Sequence, residues 1–187
     1  MKINIIGNNA FAHSLKMAFT VLNYDVDIDA PKIQVGFFVS QPETEYTIHT
    51  DPTKEWKPCK NAIVITPFQQ IFYKEKAFEN SDNTIINCSL ENYDLMKEER
   101  AEAGIDKIKG MKLFITKEGA TQEQIELVKK VFAGTGIEIG FKETMQEVNT
   151  VFYQNALVTL LKGETTMKDL KPYLEIDEKS FVDALKI

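Results

Sequence analysis

Apolar residues open the chain in a tight run, Met1 to Ile6, which stops at Gly7 and gives way to a wider spacing of Phe11, Leu15, Phe19 and Leu22. The first run is short and isoleucine-rich and predicts a buried strand; the second places its apolar residues on one helical face that can cover a sheet. Tyr24 to Asp29 alternates Asp25, Asp27 and Asp29 with Val26 and Ile28, the period of a strand with one wet face. Ile33 to Val39 and Glu45 to Thr50 predict two strands joined around Gln41-Pro42, a hairpin near 33–50 inserted where a crossover helix would run. Asn61 to Thr66, closed by Pro67, is brief and β-branched and predicts a central parallel strand, followed by a helix over Phe68 to Phe78.

The format then repeats. Asn83 to Ser89 predicts another core strand, Glu91 to Ala103 a charged helix, Gly104 and Gly110 a turn, and Met111 to Thr116 a further strand. Thr121 is placed to cap a helix carrying Ile125, Val128 and Phe132, ending at Gly134 or Gly136. Ile137 to Phe141 supplies a last strand. Glu143 to Leu161 follows as a helix so apolar that it needs burial on more than one side. The tail from Gly163 holds two short helical patterns separated by Pro172.

Strands alternating with helices predict an α/β fold with a doubly wound, mostly parallel sheet covered on both faces. The expected division is a Rossmann-like nucleotide-binding domain over 1–141 and a short helical segment over 142–187. Twenty-two basic against 28 acidic side chains leave a net charge of −6 and no basic block, which argues against nucleic acid as a partner. No apolar stretch approaches the roughly 20 residues that span a bilayer, and nothing resembles a signal peptide, so no membrane association and a cytoplasmic location are expected. Cys59 and Cys88 lie far apart and read as reduced structural thiols; no metal site is expected.

The chemistry-bearing motif is the turn Gly7-Asn8-Asn9-Ala10-Phe11-Ala12 between the first strand and the first helix. Against the dinucleotide fingerprint G-x-G-x-x-G/A it keeps the first position in Gly7 and the last in Ala12, but has Asn9 at the middle glycine. Free amides at that helix start suit a pyrophosphate. Asn9 tolerates a left-handed backbone, yet its side chain falls where the glycine leaves space, and Phe11 is large enough to fill the site itself. Dinucleotide binding, to NAD or NADP, and a purely structural turn both fit these residues. Asp27 and Asp29 lie about 20 residues beyond the first glycine, where an acid hydrogen-bonds a ribose hydroxyl; Asp29, at the strand end, is the better placed and favours NAD by repelling a 2′-phosphate. A solvated face of three aspartates is the alternative.

With its Met-Lys-Ile-Asn-Ile-Ile-Gly start, a strand ending in Thr66-Pro67, another ending in Cys88-Ser89, and the stretch Lys112 to Val158, the chain resembles the prephenate and arogenate dehydrogenase family. The resemblance implies an NAD(P)-linked oxidoreductase-like protein with cofactor contacts at Gly7, Asn8, Asn9, Ala10, Phe11, Ala12, Asp29, Thr66, Pro67 and Ser89. It also implies a homodimer through Glu143 to Leu161. The family's His-Asp pair at the start of the long helix has no counterpart in Met145-Gln146-Glu147-Val148, and Tyr153-Gln154-Asn155 lacks its further histidine. The family's oxidative decarboxylation therefore does not carry over. The second reading is a non-catalytic binding or oligomerisation module on the same fold. His13, beside the turn, and His49, among Thr47, Thr50 and Asp51, are the chain's two histidines, and each also fits a surface position.

Overall fold

The computed structural model describes residues 1–29, 33–35, 38–40, 46–50, 62–64, 88–90, 102–117, 121–174 and 178–186. Strand β1 (Lys2–Ile6) is followed by helix α1 (Ala10–Val21) and strand β2 (Asp25–Ile28). The short strands β3 (Ile33–Val35) and β4 (Phe38–Ser40) pair antiparallel with each other. Strands β5 (Tyr46–His49) and β6 (Ala62–Val64) complete a parallel sheet of order β2-β1-β5-β6. Its register sets Ile28, Ile5, Ile48 and Ile63 in one row across the four strands.

The second sheet, of order β7-β8-β9, is built from Cys88–Leu90, Lys112–Thr116 and Glu138–Lys142. A one-turn helix, α2 (Ile105–Ile108), precedes β8, and α3 (Gln122–Phe132) joins β8 to its parallel neighbour β9. Helices α4 (Met145–Leu161), α5 (Met167–Leu174) and α6 (Glu178–Ala184) close the chain. Among the described residues no helix is long and apolar enough to cross a membrane.

Local sequence explains most of these limits. Thr121 and Gln124 form a reciprocal capping box at the start of α3, and Thr144 and Glu147 do the same for α4, which therefore begins at Met145. Helix α3 stops at Phe132, just before Gly134, whose φ of 82° suits glycine. The buried faces meet in one apolar core: Ile3 and Ile5 of β1, Phe11, Leu15 and Phe19 of α1, Leu113 and Ile115 of β8, and Val128 and Phe132 of α3. Phe19 and Phe132, with ring centroids 5.8 Å apart, join the two halves of that core. Helix α4 packs on β7, β8 and β9 and on α6, so sheet and tail cover it from different sides as its composition requires, while Val158 and Leu161 remain exposed.

Three expectations need correction. The predicted pairing of Ile33 to Val39 with Glu45 to Thr50 is not formed: the first run folds back on itself as β3-β4, and Tyr46–His49 lies between β1 and β6, where Ile48 is wholly buried. Its polar flanks disguise a central strand. The turn expected between Gly104 and Gly110 contains α2. Pro172 does not divide the tail: α5 runs through it, lacking one backbone N–H donor at that position. Strand β7 pairs antiparallel with β8, an exception within a mostly parallel arrangement. Thr84 to Ile86, the predicted helix over 68–78 and residues 91–101 of the helix predicted over Glu91 to Ala103 lie outside the described residues, and Glu102 and Ala103 are not helical.

Asp183 of α6 accepts hydrogen bonds from Lys186, at 2.6 Å, and from Gln146 of α4, tying the last helix to the long one. The Lys186 hydrogen bond, the largest cause, holds the Asp183 carboxyl below its ordinary pKa. A carboxyl lowered in the folded state stabilises it above the unfolded pKa and loses that contribution as pH falls through the folded value. The end of α6, and to a lesser degree its tie to Gln146, is therefore expected to weaken on acidification below the normal aspartate range, and Asp183→Asn to flatten that part of the stability profile. Urea unfolding is expected to register Phe19→Ala as a loss of about 3–5 kcal/mol, from the cavity left between α1 and α3. Gly140→Ala, whose Cβ would stand 2.8 Å from the Phe114 ring, is expected to cost about 1–3 kcal/mol.

Candidate functional site

The parallel sheet reverses its strand order at β1: the chain passes through α1 to β2 on one side, then returns to place β5 on the other. The carboxyl ends of β1 and β5 lie side by side there, the position where sheets of this kind present a ligand crevice. Gly7 follows β1, Asp29 follows β2 and Thr50 follows β5, so three strand ends supply the rim. The ladder extends into it, with Asp29 N donating to Ile5 O at 2.7 Å and Thr50 N to Ile6 O at 2.8 Å.

Gly7 has φ 125°, a conformation open to glycine, and its N–H donates to Asp29 Oδ1 at 2.9 Å. Asp29 itself is held at φ 48°, a left-handed conformation that aspartate tolerates better than most residues. Asp25 and Asp27 are exposed along β2 and fit a solvated face, whereas Asp29 turns back to the first glycine.

Asn9 is the N-cap of α1. Its backbone is extended, with φ −111° and ψ 172°, so the left-handed geometry considered for it is not used. The capping geometry explains why: an N-cap residue takes β-region dihedrals so that its side chain can reach the first turn. Asn9 Oδ1 accepts from Ala12 N at 2.8 Å, and Asn9 Nδ2 donates to the Thr50 carbonyl at 3.2 Å, across the crevice. The side chain is buried. Ala10 and Phe11 contribute the first two helical amides, which have no acceptor within the helix. Phe11 is wholly buried and is part of the apolar core with Leu15 and Phe19. His13 is exposed, and its Nε2 lies 2.7 Å from Asn8 Oδ1.

The structure thus brings together Gly7, Asn8, Asn9, Ala10, Phe11, Ala12 and Asp29. Ser89 stands opposite Phe114 in the second sheet, and Thr66 and Pro67 lie outside the described residues. Thr50 is the rim residue that the motif did not reveal; its signal was the cluster of polar residues Thr47, His49, Thr50 and Asp51 around Ile48. Ser14 is a second: buried in α1, it donates to Ala10 O and accepts from Gly104 N at 3.0 Å, anchoring the first helix to the segment before α2. Among the described residues no cluster of three or more histidine, cysteine, aspartate or glutamate side chains is placed to hold a metal ion.

Asp29→Ala removes the acceptor of Gly7 N and leaves an alanine at positive φ, so it is expected to destabilise by about 1–3 kcal/mol in chemical denaturation. Asp29→Asn, which keeps an oxygen acceptor and the same backbone tolerance, is expected to stay within about 1 kcal/mol of the parent protein.

No family model matches the chain, and no curated protein matches it in sequence. Solved structures do share its architecture. Prephenate dehydrogenase from Aquifex aeolicus is 13% identical, with 98% of this chain and 86% of that chain covered and a TM-score of 0.50. An imine reductase from Streptomyces aurantiacus is 10% identical, over 98% of this chain and 76% of that one, at a TM-score of 0.49. The A. aeolicus prephenate dehydrogenase in complex with hydroxyphenyl propionate and NAD+ is 15% identical, over 100% and 77%, at a TM-score of 0.42. Likeness at such identities carries the fold and leaves activity to the site itself: the chain has an α/β, Rossmann-like fold with a helical C-terminal part.

Proposed function

We propose that this is an NAD(P)-linked oxidoreductase-like protein, similar to the prephenate dehydrogenase group, that binds a nicotinamide dinucleotide across the carboxyl end of β1. The observation that carries the reading is the Asp29 carboxylate folded back on Gly7 N at 2.9 Å, beside the start of α1 and at the point where strand order reverses. The donor set suits the cofactor: the Ala10 and Phe11 amides and the helix dipole meet a pyrophosphate, and a carboxylate at the end of β2 meets ribose hydroxyls. Asp29 disfavours a 2′-phosphate by charge, so NAD is preferred over NADP. When bound, the nicotinamide supplies hydride transfer; the protein's own groups bind and orient it.

A second reading, a non-catalytic module on the same fold, draws on Asn9 in the middle-glycine position and on the absence of histidine from Glu143 to Leu161. Under either reading, association of two copies through that helix is supported by Val158 and Leu161, which are 47% and 86% exposed.

Thermal unfolding of the purified protein with NAD, NADP and their reduced forms separates the two. Binding to the folded state alone adds about 2.7 kcal/mol when ligand stands 100-fold above its dissociation constant, a rise of several degrees in melting temperature. NAD is expected to give the larger shift, Gly7→Val to abolish it, and Asp29→Asn to weaken NAD roughly tenfold while narrowing the preference over NADP. No shift at millimolar concentration with any of the four would leave the non-catalytic module. Sedimentation is expected to show a dimer, with Leu161→Glu shifting it to monomer.

A further inference from the structure

We infer that Asn9 is a specificity-determining latch: its carboxamide ties together the two sides of the crevice, so that a mononucleotide enters more readily than a complete dinucleotide. The inference rests on the dinucleotide reading above and adds to it which ligands the site admits. Asn9 is 2% exposed and reaches a residue 41 positions away. Its target is rigid, because Thr50 is itself held by Ile6 O, through its N–H at 2.8 Å and its hydroxyl at 3.1 Å. With Oδ1 on Ala12 N, the amide is fixed at both ends.

A dinucleotide lies across such a crevice with one mononucleotide half on each side of the strand-order reversal. The Asn9 to Thr50 hydrogen bond spans the same reversal, from the β1 loop to the β5 loop, and so crosses that path. A mononucleotide on the β2 side needs no crossing: its ribose meets Asp29, and its phosphate meets the Ala10 and Phe11 amides. Full occupancy of the crevice requires the carboxamide to leave Thr50, and the lost hydrogen bond is charged against the dinucleotide alone.

Calorimetric titration of AMP and NAD into the parent protein, Asn9→Gly and Asn9→Ser tests this. Glycine and serine are both accepted at a helix N-cap, and neither side chain can reach Thr50; unfolding without ligand checks that each variant is folded. Both variants are expected to bind NAD roughly five- to tenfold tighter than the parent, with AMP unchanged within about twofold. NAD binding seen only in the variants is the same result in stronger form. If NAD binds the parent and neither variant binds it more tightly, or if AMP tightens equally, the latch is overturned and the dinucleotide reading stands. If neither ligand binds any of the three proteins, both fall together.

Discussion

The Asn9 carboxamide has one oxygen and one nitrogen, and each is committed to a different side of the crevice: Oδ1 to the first turn of α1, Nδ2 to the carbonyl that ends β5. Much of the first half of the fold depends on that pair. A buried amide with either end unsatisfied would lose about 1–3 kcal/mol, so the start of α1 and the end of β5 are held in one relative position. The hydrogen bond from Gly7 to Asp29 does the same on the β2 side. Two short polar contacts therefore define the rim where three strand ends meet.

Beneath the rim, packing decides where the apolar side chains of α1 go. Phe11, Leu15 and Phe19 are all fully buried, so the large side chains of the helix belong to the core. The same core extends through Phe19 and Phe132 to the second sheet, and Ser14 adds a polar tie to Gly104. The rim rests on a base contributed by residues more than 90 positions downstream as well as by its own strands.

The chain's periodicity made the β1-α1-β2 unit legible, as it did the β8-α3-β9 unit and the long α4, because these elements combine a consistent apolar spacing with local start and stop signals. Thr121 announced its helix, and Gly134 ended it. The partners of strand β5 were misread for the opposite reason: Tyr46-Thr47-Ile48-His49 carries one aliphatic residue in four, and its central place in the sheet comes from pairing with β1 and β6. Pro172 misled in the same way, since a local breaker was outweighed by the helix around it.

For the site, sequence alone determined the turn: a glycine at the end of a buried strand, a helix beginning within three residues, and an acid at the end of the next strand. These are short-range features set by backbone conformation and apolar spacing. Only the tertiary structure decided what they do. It showed Asn9 extended and capping, Phe11 turned into the core, Asp29 folded onto Gly7, and Thr50 facing Asn9 from 41 residues away. The partner of a side-chain amide is chosen by strand order, which brings β5 beside β1, and no local spacing encodes that neighbour.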